Sequence, residues 1–252
     1  MIPSAGRDKP DVRDRQRRDL FGAVKDLPSQ MFLPIWIDVQ DQSKHKDTKM
    51  ACNIYSFWQI ENIFNKNSDF DCRNHWINGF IPFVKDKYSK LWVDPLTDWS
   101  WKQDWMKYMK SKGFFDGYVL CSSAQEIKEA IASGNSVQTG SKQINWTKTK
   151  KNNNIAFWWG GSGHFFSIVW YDDRKGWFIC INSYWENKYD KGYFYIKYSD
   201  FDLLYSAHEV IDKINLTPWQ LKKQKIRQKW REYKNQWKEY KFDSVKKVFR
   251  WM

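Results

Sequence analysis

Cysteine is scarce in this chain, with four among 252 residues. That is too few for a disulfide framework in so long a sequence, so a reducing compartment is the default expectation. No zinc-ligand pattern is present: Cys72-x-x-His75 lacks the two further ligands a closed site needs. No glycine-rich phosphate loop is present either, and no metal or cofactor is expected. No run of about twenty apolar residues occurs, so no membrane-spanning helix is expected. The opening residues Met1 to Asp8 have no apolar core and do not read as a signal peptide. The chain is accordingly expected in the cytoplasm or inside an intracellular or virion assembly.

Aromatic residues and positive charge are what the chain has in quantity. Trp, Phe and Tyr make up 19% of it, and the formal net charge is +13. The charge is uneven. From Thr217 onward there are twelve Lys or Arg against three acids, so about nine of the thirteen net charges lie in the last 36 residues. The body is only mildly basic, and electrostatic attraction to a partner is a property of the tail.

Residues 1–26 are rich in charge and read as an extended arm. Phe32 to Val39 reads as a short strand. Cys52 to Asn65 reads as a helix, with Phe57, Ile60, Ile63 and Phe64 on one apolar face. Asp98 to Lys112 reads as a second helix, ended by Gly113. Ser123-Ala124-Gln125-Glu126 is a capping box ahead of a helix with Ile127, Ala130 and Ile131 inward, closed by Gly134. Ser136 to Thr139 starts a strand. Lys148 to Asn154 reads as a polar loop. The chain then turns β-rich at His164–Tyr171, Trp177–Ile181 and Tyr193–Lys197, with a hairpin turn over Asp172 to Gly176. Helices first and antiparallel strands second define an α+β plan.

Thr217-Pro218 starts a further helix. Trp219, Ile226, Trp230, Tyr233, Trp237 and Tyr240 form its apolar stripe. Three readings stand open for it: packing on its own domain, docking on a protein partner or another copy, and binding nucleic acid. A basic aromatic stripe alone is a weak pointer to the last.

The candidate chemistry joins Cys52, His164 and Asn182. A thiol attacks a carbonyl as thiolate, and a helix N-terminus lowers a thiol's pKa. A neighbouring imidazole completes the activation as an ion pair and later protonates the leaving amine. A carboxamide oxygen fixes the imidazole tautomer. Taken singly, Cys52 reads as a buried core thiol, His164 as a strand residue and Asn182 as a turn residue. Cys72, Cys121 and Cys180 read as plain buried thiols.

The ordered set resembles a papain-like cysteine protease from about Leu27 to Tyr198. Val39-Gln40-Asp41-Gln42 resembles the Val-x-x-Gln that precedes the family nucleophile, which implies Gln42 as oxyanion donor beside the Cys52 amide. Cys72 to Pro82 resembles the family's Cys-Asn-Gly-Gly-x-Pro segment, which implies Gly79 and Phe80 in substrate binding, with Gly163 on the opposite wall. Asn182-Ser183-Tyr184 stands where Asn-Ser-Trp is usual, so Tyr184 is implied as a shield for the Asn–His bond. Gly192-Tyr193-Phe194-Tyr195-Ile196 is similar to the family's Gly-Tyr-x-x-Ile strand.

The resemblance implies a helical first half bearing the Cys52 helix and a barrel-like antiparallel second half over residues 27–212, followed by the basic helical tail at 213–252. It implies cleavage of polypeptide substrates. The departures from the family are a longer loop between Gln42 and Cys52, Asn53 for Trp, Tyr184 for Trp and Phe80 for Gly. They leave an alternative: an inactive papain-fold component of a larger assembly, docked through its tail. A cell-wall amidase using the same Cys–His logic ranks below both.

Overall fold

The computed structural model describes residues 16–24, 26–33, 41–48, 50–57, 70–96, 102–183 and 192–211. The chain divides into two units, Met1–Asn215 and Leu216–Met252, and every described residue belongs to the first. The expected tail helix, Tyr184 and the first fifteen residues lie outside the described residues. Among the described residues no helix is long and apolar enough to cross a membrane.

Among the described residues, seven antiparallel strands form one sheet: β1 Gln30–Phe32, β2 Gly117–Cys121, β3 Val137–Ile144, β4 Ser162–Asp172, β5 Trp177–Ile181, β6 Tyr193–Lys197 and β7 Ala207–Ile211. Their order is β2-β7-β3-β4-β5-β6, and β1 pairs with the distal half of β4. The β4–β5 hairpin closes where Asp172 to Gly176 led us to expect it. Gly176 takes φ +70°, its N–H donates to Asp172 O at 2.9 Å, and the Arg174 N–H donates to the Asp172 carboxylate at 3.0 Å. An Asp that accepts from the amide two residues on is a standard way to start such a turn.

Side chains alternate across β4. Phe166 and Ile168 enter an apolar cluster with Ile127, Ile131, Val137, Phe178, Phe194 and Ile196, which is the core of the sheet half. Phe165 and Ser167 face the other way, toward helix 52–57. The helical half has its own core of Phe57, Trp76, Phe80, Tyr88, Trp105, Tyr108 and Met109.

Helix Ala124–Ala132 forms as its capping box dictates. Ser123 Oγ accepts from the Glu126 N–H at 3.2 Å, and the Glu126 carboxylate accepts from the Ser122 N–H at 2.7 Å. Helix Lys102–Ser111 ends before Gly113, which takes φ +78°.

Three expectations need correction. The strand expected from Phe32 begins earlier, at Gln30, and residues 34–40 lie outside the described residues. The expected loop after Lys148 is instead partly helical over Trp146–Lys151, because Asn145 Oδ1 caps the Lys148 N–H at 3.0 Å. The segment before Leu27 is not wholly extended: Arg17–Phe21 is a short helix, and Arg17 is buried.

Arg17 is what folds that segment. Its Nη1 lies 2.7 Å from Glu129 Oε2, its Nε lies 2.9 Å from Glu209 Oε2, and its Nη2 donates to Ser133 Oγ at 3.2 Å. Glu209 also accepts from Asn135 Nδ2 at 2.7 Å. Removing one member of a buried ion cluster strands the others in a low dielectric. Arg17→Ala is therefore expected to lower unfolding free energy by about 3 kcal/mol in urea titration. A change under about 0.5 kcal/mol, the surface-substitution range, would show that the segment does not dock.

Candidate active site

Cys52 is the first residue of helix 52–57, which opens with the Ile54 and Tyr55 N–H groups on Ala51 O at 3.0 and 3.2 Å. The Cys52 and Asn53 amides therefore have no carbonyl ahead of them in the helix. The Cys52, Asn53 and Phe165 backbone amides all favour the charged form of the Cys52 thiol. Cys52 packs partly buried beside Tyr205 and Phe165, the residue next to His164.

Two polar side chains clamp this helix to the sheet. Gln138 of β3 and Ser167 of β4 are cross-strand partners. Gln138 Nε2 donates to Asn53 O at 3.1 Å and to Ser56 Oγ at 2.8 Å, and Ser167 Oγ donates to Ser56 O at 2.7 Å. The clamp fixes Cys52 relative to the strand that carries His164.

His164 is the third residue of β4 and pairs across to Ser141. Its Nε2 lies 2.8 Å from Asn182 Oδ1. A carboxamide oxygen can only accept, so Nε2 carries the proton and Nδ1 is the basic nitrogen of the neutral ring. Nε2 also lies 3.2 Å from Ser183 Oγ, and that hydroxyl donates to Gln42 Oε1 at 2.5 Å. The Gln42 N–H donates to Ser183 O at 3.2 Å. Trp146 sets its ring edge-to-face with the imidazole, with centroids 5.2 Å apart and planes at 86°.

The loop between Gln42 and Cys52 is longer than the family's, but it does not run as an open excursion. Instead it winds into two 3₁₀ turns, Gln42–Lys44 and Lys46–Thr48, and Thr48 Oγ1 closes it by donating to Gln42 O at 2.7 Å. The extra residues are taken up locally, and Gln42 is stapled to Ser183.

Burial pushes the Cys52 thiol up to about 11, against the three amides that lower it. Burial likewise pulls His164 down to about 4, against the Asn182 bond that raises it. Desolvation therefore works against both charged forms of the expected thiolate–imidazolium pair. Desolvation penalises both charged forms, and here it outweighs the local hydrogen bonds.

Other expected site residues fall elsewhere. Phe80 is fully buried in the helical core, stacked on Trp76 with centroids 5.3 Å apart, and offers no face to a substrate. Gly79 lies in the π-helical stretch His75–Phe80, within a helical run from Cys72–Asn74 through to Ile81–Ser89. A β-carbon on Gly79 would stand 1.8 Å from Tyr108 Oη. This glycine makes room for a core tyrosine, and helical backbone has no spare amides to pair with a peptide. Gly163 directly precedes His164 and is partly exposed. Cys72, Cys121 and Cys180 are buried. No group of metal ligands forms among the described residues. Ser183, Trp146, Gln138 and Ser167 were not singled out from the sequence. Ser183 was within sight in the Asn182-Ser183 pair, and the other three carried no local signal.

Comparison with solved structures identifies the architecture. The chain has the papain-like cysteine protease fold. It superposes on xylellain, a cysteine protease from Xylella fastidiosa, with TM-score 0.58 and 16% identity over 84% of this chain and 96% of that one. Digestive procathepsin L2 from Tenebrio molitor larval midgut gives TM-score 0.54 and 15% identity over 83% and 78%. A stem bromelain precursor gives TM-score 0.52 and 9% identity over 79% and 77%. No protein-family model matches the sequence, and no curated protein is similar to it in sequence.

The buried imidazole makes a pH prediction with a definite sign. Folded His164 titrates near 4 and an unfolded histidine near 6.5, so the unfolded chain binds the proton more tightly. Stability that is fully present above pH 6.5 is lost as the pH falls toward 4, by up to about 3 kcal/mol. Urea titrations of wild type and His164→Gln at pH 7 and 4.5 should differ by that increment. Parallel pH dependences would mean that the imidazole is hydrated.

Proposed function

We propose that the chain is a cysteine peptidase that cleaves polypeptides through a Cys52 thioester. The observation that carries this is the packing of Cys52 against Phe165, one residue from a histidine bonded to Asn182 at 2.8 Å. The papain-like fold supports it, since its solved neighbours include proteases of that chemistry.

Desolvation opposes both charged forms at rest, so this reading places activation in the attack itself. As sulfur bonds to the substrate carbonyl carbon, His164 Nδ1 takes the thiol proton. Asn182 Oδ1 accepts from Nε2 throughout, holding the tautomer and stabilising the imidazolium that forms. The developing oxyanion is met by the Cys52 N–H and by Gln42 Nε2. Ser183 engages the oxygen end of the Gln42 carboxamide, which turns its NH₂ end the other way. The imidazolium then protonates the leaving amine as the C–N bond breaks. Water, deprotonated by His164, hydrolyses the thioester and frees the thiol.

Cys52→Ala is expected to abolish both peptide hydrolysis and labelling by an epoxide thiol-protease probe. Hydrolysis that survives this substitution would exclude the mechanism. Gln42→Ala should lower kcat by roughly 100-fold, the usual cost of one oxyanion donor. Ser183→Ala should lower it less, through lost orientation of the carboxamide, with KM nearly unchanged in both. An unaltered kcat in Gln42→Ala would leave the loop glutamine with a structural task only.

A further inference from the structure

Trp159 is a large apolar residue that the fold puts outside, with 73% of its surface exposed. Its backbone is in the left-handed region at φ +87°, followed by Gly160 at φ +79°. A side-chain-bearing residue takes that conformation only where its surroundings impose it. They do so here. Trp158 Nε1 donates to Asp200 at 2.8 Å, the Phe157 N–H donates to Thr149 Oγ1 at 3.0 Å, and the Asn145 N–H donates to Phe157 O at 2.8 Å. Trp158 bridges to Ile144, and Ser162 pairs with that same residue. The neighbours anchor the turn, and the indole is left free for something other than packing.

Its position relative to His164 follows from strand register. Ile144 is three residues along β3 from Ser141, the partner of His164. The register shifts by one between them, since Ile144 pairs with Ser162, two residues from His164, so at about 3.3 Å per residue the turn lies about 7 Å along the strand from the histidine backbone. A contact path joins them: a β-carbon on Gly160 would stand 3.7 Å from Asn145 Nδ2, and the next residue, Trp146, packs on the imidazole. The imidazole must protonate the leaving amine, so its flank of the thiol is the flank over which the leaving half of the substrate runs. An extended peptide advances at the same rise per residue, which puts its second or third residue past the cut bond at this turn.

On the peptidase reading, we propose that Trp159 is a specificity-determining residue that takes an apolar side chain, aromatic above all, from the second or third residue beyond the scissile bond. Ring-on-ring contact and exclusion of water favour such a residue over a small polar one. The contact forms with the leaving peptide, so it selects among substrates by their second half.

The test uses full-length protein and quenched fluorescent peptides that differ only in carrying Phe or Ser at those two positions. Wild type should cleave the Phe peptides roughly three- to tenfold more efficiently in kcat/KM. Trp159→Ala should bring the ratio near one, and Trp159→Phe should keep most of it. A ratio that stays high in Trp159→Ala, or is already near one in wild type, overturns the assignment. An aminocoumarin amide, which has no residue beyond the bond, separates the two levels. If wild type hydrolyses it and the ratio does not respond to residue 159, this inference alone fails. If wild type cleaves neither it nor any peptide, the peptidase reading fails and takes this inference with it.

Discussion

One misfit in a strand ladder decides whether this molecule has a site at all. β4 and β5 pair Asp172 with Trp177 and Tyr171 with Phe178, but farther along they pair Ile168 with Cys180 and Ser167 with Ile181. The extra residue between the two registers is Val169, and its carbonyl accepts the Leu33 N–H just after β1 at 3.0 Å. Continued one step, the shifted register sets Asn182 opposite Phe166, on the face that His164 shares. Without the bulge, Asn182 would stand opposite Ser167 and point to the other side. A one-residue slip reverses every side chain in a strand pair. The 2.8 Å bond between His164 and Asn182 therefore rests on a bulge five residues away in β4.

The other half of the site depends on a trade between burial and polarity. Cross-strand neighbours Gln138 and Ser167 are polar on a face that apolar residues could have filled. Each is worth its place because it reaches a carbonyl of helix 52–57, and a buried polar group without a partner is costly. The result positions Cys52 firmly, and the same close packing removes water from the imidazole. That dryness works against the resting ion pair that a more open site would favour. It also strengthens every hydrogen bond to the charges that form during attack.

Much of this was legible in the sequence, and the legible parts share a cause. The β4–β5 turn, the Tyr193–Lys197 strand and the Ser123 capping box are set by residues within a few positions of one another, so local chemistry announces them. The ordered Cys52, His164 and Asn182 were legible because each sits at an element's start or end, where such residues have few other tasks. What escaped depends on distance. The Val169 bulge appears only when two strands are paired. Trp146 against His164, Arg17 between Glu129 and Glu209, and the Gln138–Ser167 clamp all join segments more than ten residues apart, with no periodicity to betray them. Phe80 escaped for the opposite reason. A resemblance suggested a substrate wall, but its apolar side chain was better satisfied inside the helical core.

That burial has a consequence for recognition. Where the resemblance implies a glycine-bearing wall, residues 72–89 are helical, with their amides spent within the helices and Gly79 closed over by Tyr108. A peptide cannot extend a sheet along such a surface, because no unpaired backbone donors and acceptors face it. Main-chain pairing on that wall is therefore lost, and affinity must come from contacts elsewhere. The sheet half has the means, with Trp146, Gly163 and the strained Trp159 turn gathered around the start of β4. On the proposed peptidase reading, recognition is weighted toward the imidazole's flank because of where the fold spent its backbone hydrogen bonds. The helical half gave up a substrate edge and gained a tightly packed aromatic core.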